Sequence, residues 1–263
     1  MIIGIDIGGT NTHGVLMCDG KIKSAFSSEG NKPEHAIKCF RSLRKSAGKN
    51  EVRLVLTGGG ARSMKESDFR FPFVVADEIK AIGAGGVFLS GKSDVFVVSI
   101  GTGTAFVSVT EGEARHMGGT GIGGGTISGL SRLMLKLPPG KAESVAKKSA
   151  KNLDLTVRDI VGGGIGQIPA EATASNFGKA DSKSRKPEIA ASLFNMIGET
   201  IGVMSYFASK SVSQEGDILL CGRVAMNGIV QERAVETIRM FGGEAMIPEK
   251  AEYCAAIGAA LSV

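Results

Sequence analysis

The 263-residue sequence has no tryptophan, two tyrosines and only 5% aromatic residues. Its net charge of +5 is spread along the chain, with no dense basic block. Nucleic-acid binding, which wants a basic stripe or an aromatic stacking platform, is therefore not expected. Cysteine is also sparse: Cys18, Cys39, Cys221 and Cys254 lie far apart and form no C-x-x-C pair. That spacing suggests neither a zinc ribbon nor a disulfide framework, and buried, reduced thiols in a cytoplasmic protein are the expectation. No uninterrupted apolar run approaches the roughly 20 residues of a membrane span, and no basic segment precedes an apolar stretch at the start. The G-x-x-x-x-G-K-[ST] pattern of a phosphate-binding P-loop is missing, and no glycine-rich fingerprint follows a strand as a dinucleotide site requires.

Glycine is what the sequence has in excess, with 38 residues, about twice the usual share of roughly 7%. No G-x-y period exists, which excludes collagen, and the glycine clusters sit between runs of Val, Ile and Leu rather than in a polar linker. They mark turns. Met1 to Ile7 reads as an apolar strand, Gly8-Gly9-Thr10-Asn11 as a turn and His13 to Cys18 as a second strand. Asp19-Gly20 is a hairpin signal before a polar third strand, Lys21 to Ser27. Pro33 opens an amphipathic helix with Ala36, Ile37, Phe40 and Leu43 on one face, and Val52 to Leu56 follows as a buried strand. Phe71 to Ala76 is a further strand, with a helix starting at Ile79.

The same grammar restarts at Asp94. Val95 to Ile100 is a strand, Gly101-Thr102-Gly103-Thr104 a turn, Ala105 to Thr110 a strand and Glu111-Gly112 a hairpin. A long glycine-rich loop, Gly118 to Gly125, precedes a helix expected over Thr126 to Leu137. Helices are also expected over Lys141 to Lys151, Pro187 to Ser211, Ile229 to Phe241 and Cys254 to Leu261, with a strand at Asp217 to Cys221. The reading is a duplicated α/β fold of two βββαβα-type lobes, at 1–92 and 93–263, with a cleft between them.

Asp6-Ile7-Gly8-Gly9-Thr10 sets a carboxylate at the end of a buried strand, before a turn whose glycines leave amides unshielded. Amides and a hydroxyl suit phosphate oxygens, and the carboxylate suits Mg²⁺, a hard cation that prefers oxygen ligands. An ordinary hairpin with a capping aspartate would explain one such turn. The second, at Gly101 to Thr104, lets a nucleotide be held from both sides, as phosphoryl transfer requires.

These two turns, with the late strand and Gly222, resemble the phosphate and adenosine motifs of the actin-like ATPase superfamily, which includes sugar kinases. Three further stretches, Gly118 to Leu130, Asp154-Leu155-Thr156-Val157-Arg158-Asp159-Ile160 and Ala174-Ser175-Asn176-Phe177-Gly178, together with Ala256-Ile257-Gly258-Ala259, resemble the type II (eukaryotic-like) pantothenate kinases. The resemblance runs over nearly the whole chain. It implies ATP-dependent phosphorylation of a primary hydroxyl on a small-molecule substrate, pantothenate or a relative such as pantetheine, in an actin-like fold. It also implies a homodimer, and the apolar stripe of the Pro187 to Ser211 helix is wide enough for a dimer seam, a core helix or both.

By this resemblance Asp6 would hold Mg²⁺, while Gly8, Gly9, Thr10, Gly101, Thr102, Gly103 and Thr104 would hold the ATP phosphates. Gly121, Gly123, Gly124 and Gly125 would offer free amides at a helix N-terminus, and Gly222 would border the adenine. Glu78 would be the catalytic base, with Asp77 in reserve. Thr102, Arg115 and His116 would meet the acceptor. The family carries Arg where this chain has His116, and usually Lys where it has His13. An N-acetylglucosamine-type kinase and an ATP-binding pseudokinase remain as alternatives.

Overall fold

The computed structural model describes residues 1–166 and 168–263. Strands β1 (Ile2–Ile7), β2 (Asn11–Cys18) and β3 (Lys21–Glu29) form a meander, followed by α1 (Pro33–Ala47) and β4 (Arg53–Thr57). A short helix α2 (Glu66–Phe69), β5 (Val74–Val75) and α3 (Glu78–Ser90) complete the first unit. The second contains β6 (Val95–Ile100), β7 (Thr104–Thr110), β8 (Glu113–Thr120), α4 (Gly124–Leu130) and α5 (Pro139–Ala146). It continues through β9 (Leu155–Thr156), α6 (Val157–Val161), β10 (Thr173–Ser175), α7 (Lys186–Lys210), β11 (Ile218–Cys221), α8 (Gly228–Met240), β12 (Ala245–Met246) and α9 (Cys254–Leu261).

The two main sheets have one topology. The first runs β3-β2-β1-β4-β5 and the second β8-β7-β6-β11-β12, each an antiparallel meander joined to parallel strands. The duplicated lobes are therefore real, and both hairpins follow from two dipeptides. Asp19 and Gly20 have φ of 49° and 70°, and Glu111 and Gly112 have 51° and 80°, the doubly positive pattern whose twist matches flanking strands.

The lobes are laced by exchanged helices. From the end of β5, α3 crosses to cover the Val95, Val97, Val107 and Val109 face of the second sheet. From the second lobe α9 returns to cover Val15 and Met17 on the first sheet. The other face of the first sheet packs on α1 through Cys39, Phe40 and Leu43, and that of the second on α7 and α8.

Several elements differ from expectation at their ends. The Gly118 to Thr120 stretch is strand, because β8 is an edge strand that keeps pairing with Thr104 to Phe106 after a bulge. The helix expected to Leu137 changes at Ser131 into a π-helical turn that stops at Lys136, whose φ is 56°. The polar helix begins at Pro139 and ends at Ala146, short of Lys151. The Phe71 to Ala76 strand shrinks to two residues, since Phe71 and Phe73 pack against Phe40 and Phe69 instead.

The motif segments after Asp154 serve a scaffold. Asp154, 1% exposed, accepts the Phe177 amide at 2.7 Å and the Asn195 Nδ2 at 2.9 Å, which ties both loops to α7. A buried carboxylate held by such donors pins the small β9-β10 sheet to the long helix.

Candidate active site

The C-terminal ends of β1 and β6 meet the cleft between the lobes. At the first, the Gly8 amide donates to Asn11 O at 3.0 Å, closing the turn. At the second, Gly101 N donates to Gly103 O at 2.8 Å. The two turns touch: the Thr10 and Thr102 hydroxyls are 3.0 Å apart. Among the described residues, the amides of Gly9, Thr10, Thr102 and Gly103 donate to no protein acceptor, so the two touching turns carry four free donors. Such clustered amides are suited to an anion.

The α4 N-terminus has a different task. Gly124 N and Gly125 N donate to Gly101 O and Thr102 O, both at 2.8 Å, and Gly123 N donates to Thr126 Oγ1. These amides are not the free donors expected there. The helix start braces the second turn from behind, and Thr104 Oγ1 adds a hydrogen bond to Ile122 O. Gly121, by contrast, has an amide with no acceptor among the described residues. Gly222 ends β11, where its amide donates to Ala251 O at 3.0 Å.

Asp6 is the last cleft-facing residue of β1, flanked in register by His13 on β2 and Thr57 on β4. Burial, and then the neighbouring Glu78 carboxylate, push its carboxyl up to about 7. His13 is 6% exposed and hydrogen-bonds Ser27 Oγ through Nδ1 at 2.8 Å. Ser27 Oγ donates in turn to Tyr253 Oη at 3.1 Å, and the Tyr253 ring meets the imidazole edge-on. Burial, and then the Arg223 guanidinium, hold His13 down at about 4, so it is a neutral imidazole at pH 7.

Asp77 and Glu78 part ways at the start of α3. Asp77 is the helix cap, its Oδ1 accepting Lys80 N at 2.9 Å. Glu78, one residue on, is exposed, accepts no protein hydrogen bond among the described residues, and lines a cleft of about 200 Å³ with Gly58, Arg62 and Asp77. Strand alternation divides the other pair. His116 lies opposite Val107 on the α3 side of β8, and Arg115 lies opposite Ser108 on the other face. Reasoning from sequence passed over Arg62, Ser27, Arg223 and Tyr253, which belong to no motif. It also passed over a groove of about 560 Å³ between α7 and α8, bordered by Glu199, Met204, Arg233 and Phe241.

Asp6 and Glu78 form an oxygen-only pair whose mutual repulsion a divalent cation would relieve. That donor set fits Mg²⁺, which binds through one or two carboxylates and keeps several waters.

The Fumble family model matches residues 92–262. A type II pantothenate kinase of Bacillus cereus is 31% identical over 243 residues, covering 87% of this chain and 86% of its own. One from Oceanobacillus iheyensis is 32% identical over 271 residues, covering 99% and 98%. Among solved structures, the activator of the 2-hydroxyisocaproyl-CoA dehydratase from Clostridium difficile, with bound ADPNP, superposes with a TM-score of 0.72 at 15% identity. It covers 99% of this chain and 92% of its own, and shows that the fold is shared. The chain belongs to the Fumble, or type II pantothenate kinase, family.

Proposed function

We propose that this protein transfers the γ-phosphoryl group of ATP to the primary hydroxyl of pantothenate. The observation that carries the reading is the meeting of two amide-rich turns, through Thr10 and Thr102, beside the Asp6 and Glu78 carboxylates. Relatives that cover nearly all of the chain bear the name of that activity.

In this reading the free amides of Gly9, Thr10, Thr102 and Gly103 hold phosphate oxygens, and Gly222 borders the adenine. Asp6 would hold Mg²⁺, which neutralises phosphate charge when bound. Glu78 takes the proton from the acceptor hydroxyl. The alkoxide oxygen bonds to the γ-phosphorus as the bond to the β-bridging oxygen breaks, and ADP leaves. Catalysis is then positioning, charge neutralisation and one proton transfer.

Three further assignments accompany the reading. The lobe boundary falls between 92 and 93, before β6. The enzyme is a homodimer through α7, supported by Phe207, which is 55% exposed on that helix. It acts in the cytoplasm, consistent with four unpaired cysteines.

The test is ADP release with pantothenate, pantetheine and N-acetylglucosamine as acceptors. Release above the ATP-only background with pantothenate supports the reading. Release with the sugar alone, or tight ATP binding with no acceptor used, would overturn it.

A further inference from the structure

The cleft beside Glu78 contains a cation that this chemistry leaves without a role. Arg62 lines it with Gly58, Val75, Ala76, Asp77 and Glu78, and is the only basic residue among them. It stands on the 3-10 turn Gly59–Ser63, which is firmly seated. Ala61 N donates to Gly58 O at 3.0 Å, Ser63 Oγ donates to Gly60 O at 2.8 Å, and Ala61 is buried. Gly58, at φ 85°, lies so close to Asp6 that a Cβ there would stand 2.3 Å from Oδ1. The base of Arg62 is thus fixed to the end of β1 while its side chain is exposed.

Two carboxylates share the cleft with Arg62, yet among the described residues it forms no ion pair. Asp77 is engaged by the Lys80 amide. A guanidinium that holds neither neighbour is available to an anion from solution, and its planar fork matches a carboxylate through two parallel hydrogen bonds. Two kinds of anion enter this cleft in the kinase reading. The phosphates have the four free amides and the Asp6 metal site. The acceptor must bring its hydroxyl to Glu78, on the wall that carries Arg62. Arg115 is on the far face of β8, and Arg223 stands by His13.

We propose that Arg62 receives the carboxylate of the phosphoryl acceptor, and so makes this chain select an acid over its neutral amide. The assignment rests on the kinase reading, and its test separates the two. Wild type, Arg62→Gln and Arg62→Lys are compared on pantothenate, which has a free carboxylate, and pantetheine, where an amide replaces it. The expected result for Arg62→Gln is a fall of at least about tenfold in the ratio of kcat/KM for pantothenate to that for pantetheine, carried by KM. Arg62→Lys recovers part of it. An equal change on both acceptors, or none on either, overturns the assignment.

Calorimetric titration of both compounds into protein loaded with a non-hydrolysable ATP analogue reads the same contact without turnover. Pantothenate binding that weakens in Arg62→Gln, with no phosphoryl transfer by wild type, would sink the kinase reading and keep the arginine. Transfer by wild type with unaltered pantothenate affinity in Arg62→Gln would do the reverse. Pantothenate that binds neither protein overturns the arginine as well.

Discussion

The Thr10 and Thr102 hydroxyls, 92 positions apart in the chain, share a hydrogen bond of 3.0 Å across the cleft. The same two turns carry four amides that have no acceptor among the described residues. In the kinase reading, phosphates bound at those amides compete with this bond, so a bridge between the lobes takes the place of a contact between them. The cost is one neutral hydrogen bond, and the gain is several charged ones.

Thr102→Val therefore tests the clamp with little change of volume. Losing a hydrogen bond to a charged group costs roughly 1.5–3 kcal/mol, so ATP affinity should fall about tenfold or more. Titration with a fluorescent ATP analogue checks this. A change below about twofold would mean that the hydroxyl does not reach phosphate.

Adjacent carboxylates at the start of α3 should separate cleanly. Glu78→Gln is expected to lower kcat by about 10²–10⁴ with ATP affinity retained, the range that general-base catalysis supplies. Asp77→Ala should keep turnover and lose about 1 kcal/mol of stability, because it removes a cap. If steady-state rates collapse in Asp77→Ala and survive in Glu78→Gln, the roles are reversed.

That pair also marks where sequence became insufficient. Asp-Gly and Glu-Gly announced their hairpins, Pro33 and the Ala36-Phe40-Leu43 stripe announced α1, and the repeated Gly/Thr turns announced two lobes, because each is a local backbone preference. Which of Asp77 and Glu78 caps the helix depends on the residue at which α3 begins, and adjacent acidic residues suit the cap and the first turn alike. The sheet that α9 covers was equally illegible, since a run of small residues packs on any close surface. Gly124 and Gly125 were read as anion donors because composition shows amides and not their acceptors. Arg62 was hidden for a related reason, being one charge in a glycine turn whose neighbours arrive from β5 and α3.

Asp6 should make the metal-free protein sensitive to pH. Its folded-state pKa of about 7 lies above the ordinary 3.8, so the native state favours the protonated acid. That contribution is fully present below 3.8 and is lost as pH rises through 7. Asp6→Asn should therefore be more stable than wild type without metal, by a margin that widens between pH 5 and pH 8 towards a few kcal/mol. His13 has the opposite sign: its stability contribution is present above 6.5 and lost as pH falls through about 4, but it is common to both proteins. Urea denaturation at three pH values checks the margin. A constant gap would mean that Asp6 is ionised throughout.

The exchanged helices make the last prediction. A Cβ on Gly258 of α9 would stand 1.7 Å from Ala81 O on α3, and one on Gly85 of α3 would stand 2.0 Å from Cys254 O. At both points the obstacle is backbone, which cannot rotate aside as a side chain can. Overpacking costs typically about 1–3 kcal/mol where side chains adjust, so Gly258→Ala should reach or exceed the upper end. The melting midpoint should drop by at least about 5 °C. Because α3 lies on the second sheet and α9 on the first, forcing them apart also shifts one phosphate turn against the other. ATP affinity should fall even though Gly258 is remote from the turns. Gly216→Ala, where a Cβ meets nothing within 4 Å, is the matched control and should leave both measurements near wild type. If Gly258→Ala melts with that control, the helices do not cross at this contact, and the lobes are held together by something other than the α3–α9 pair.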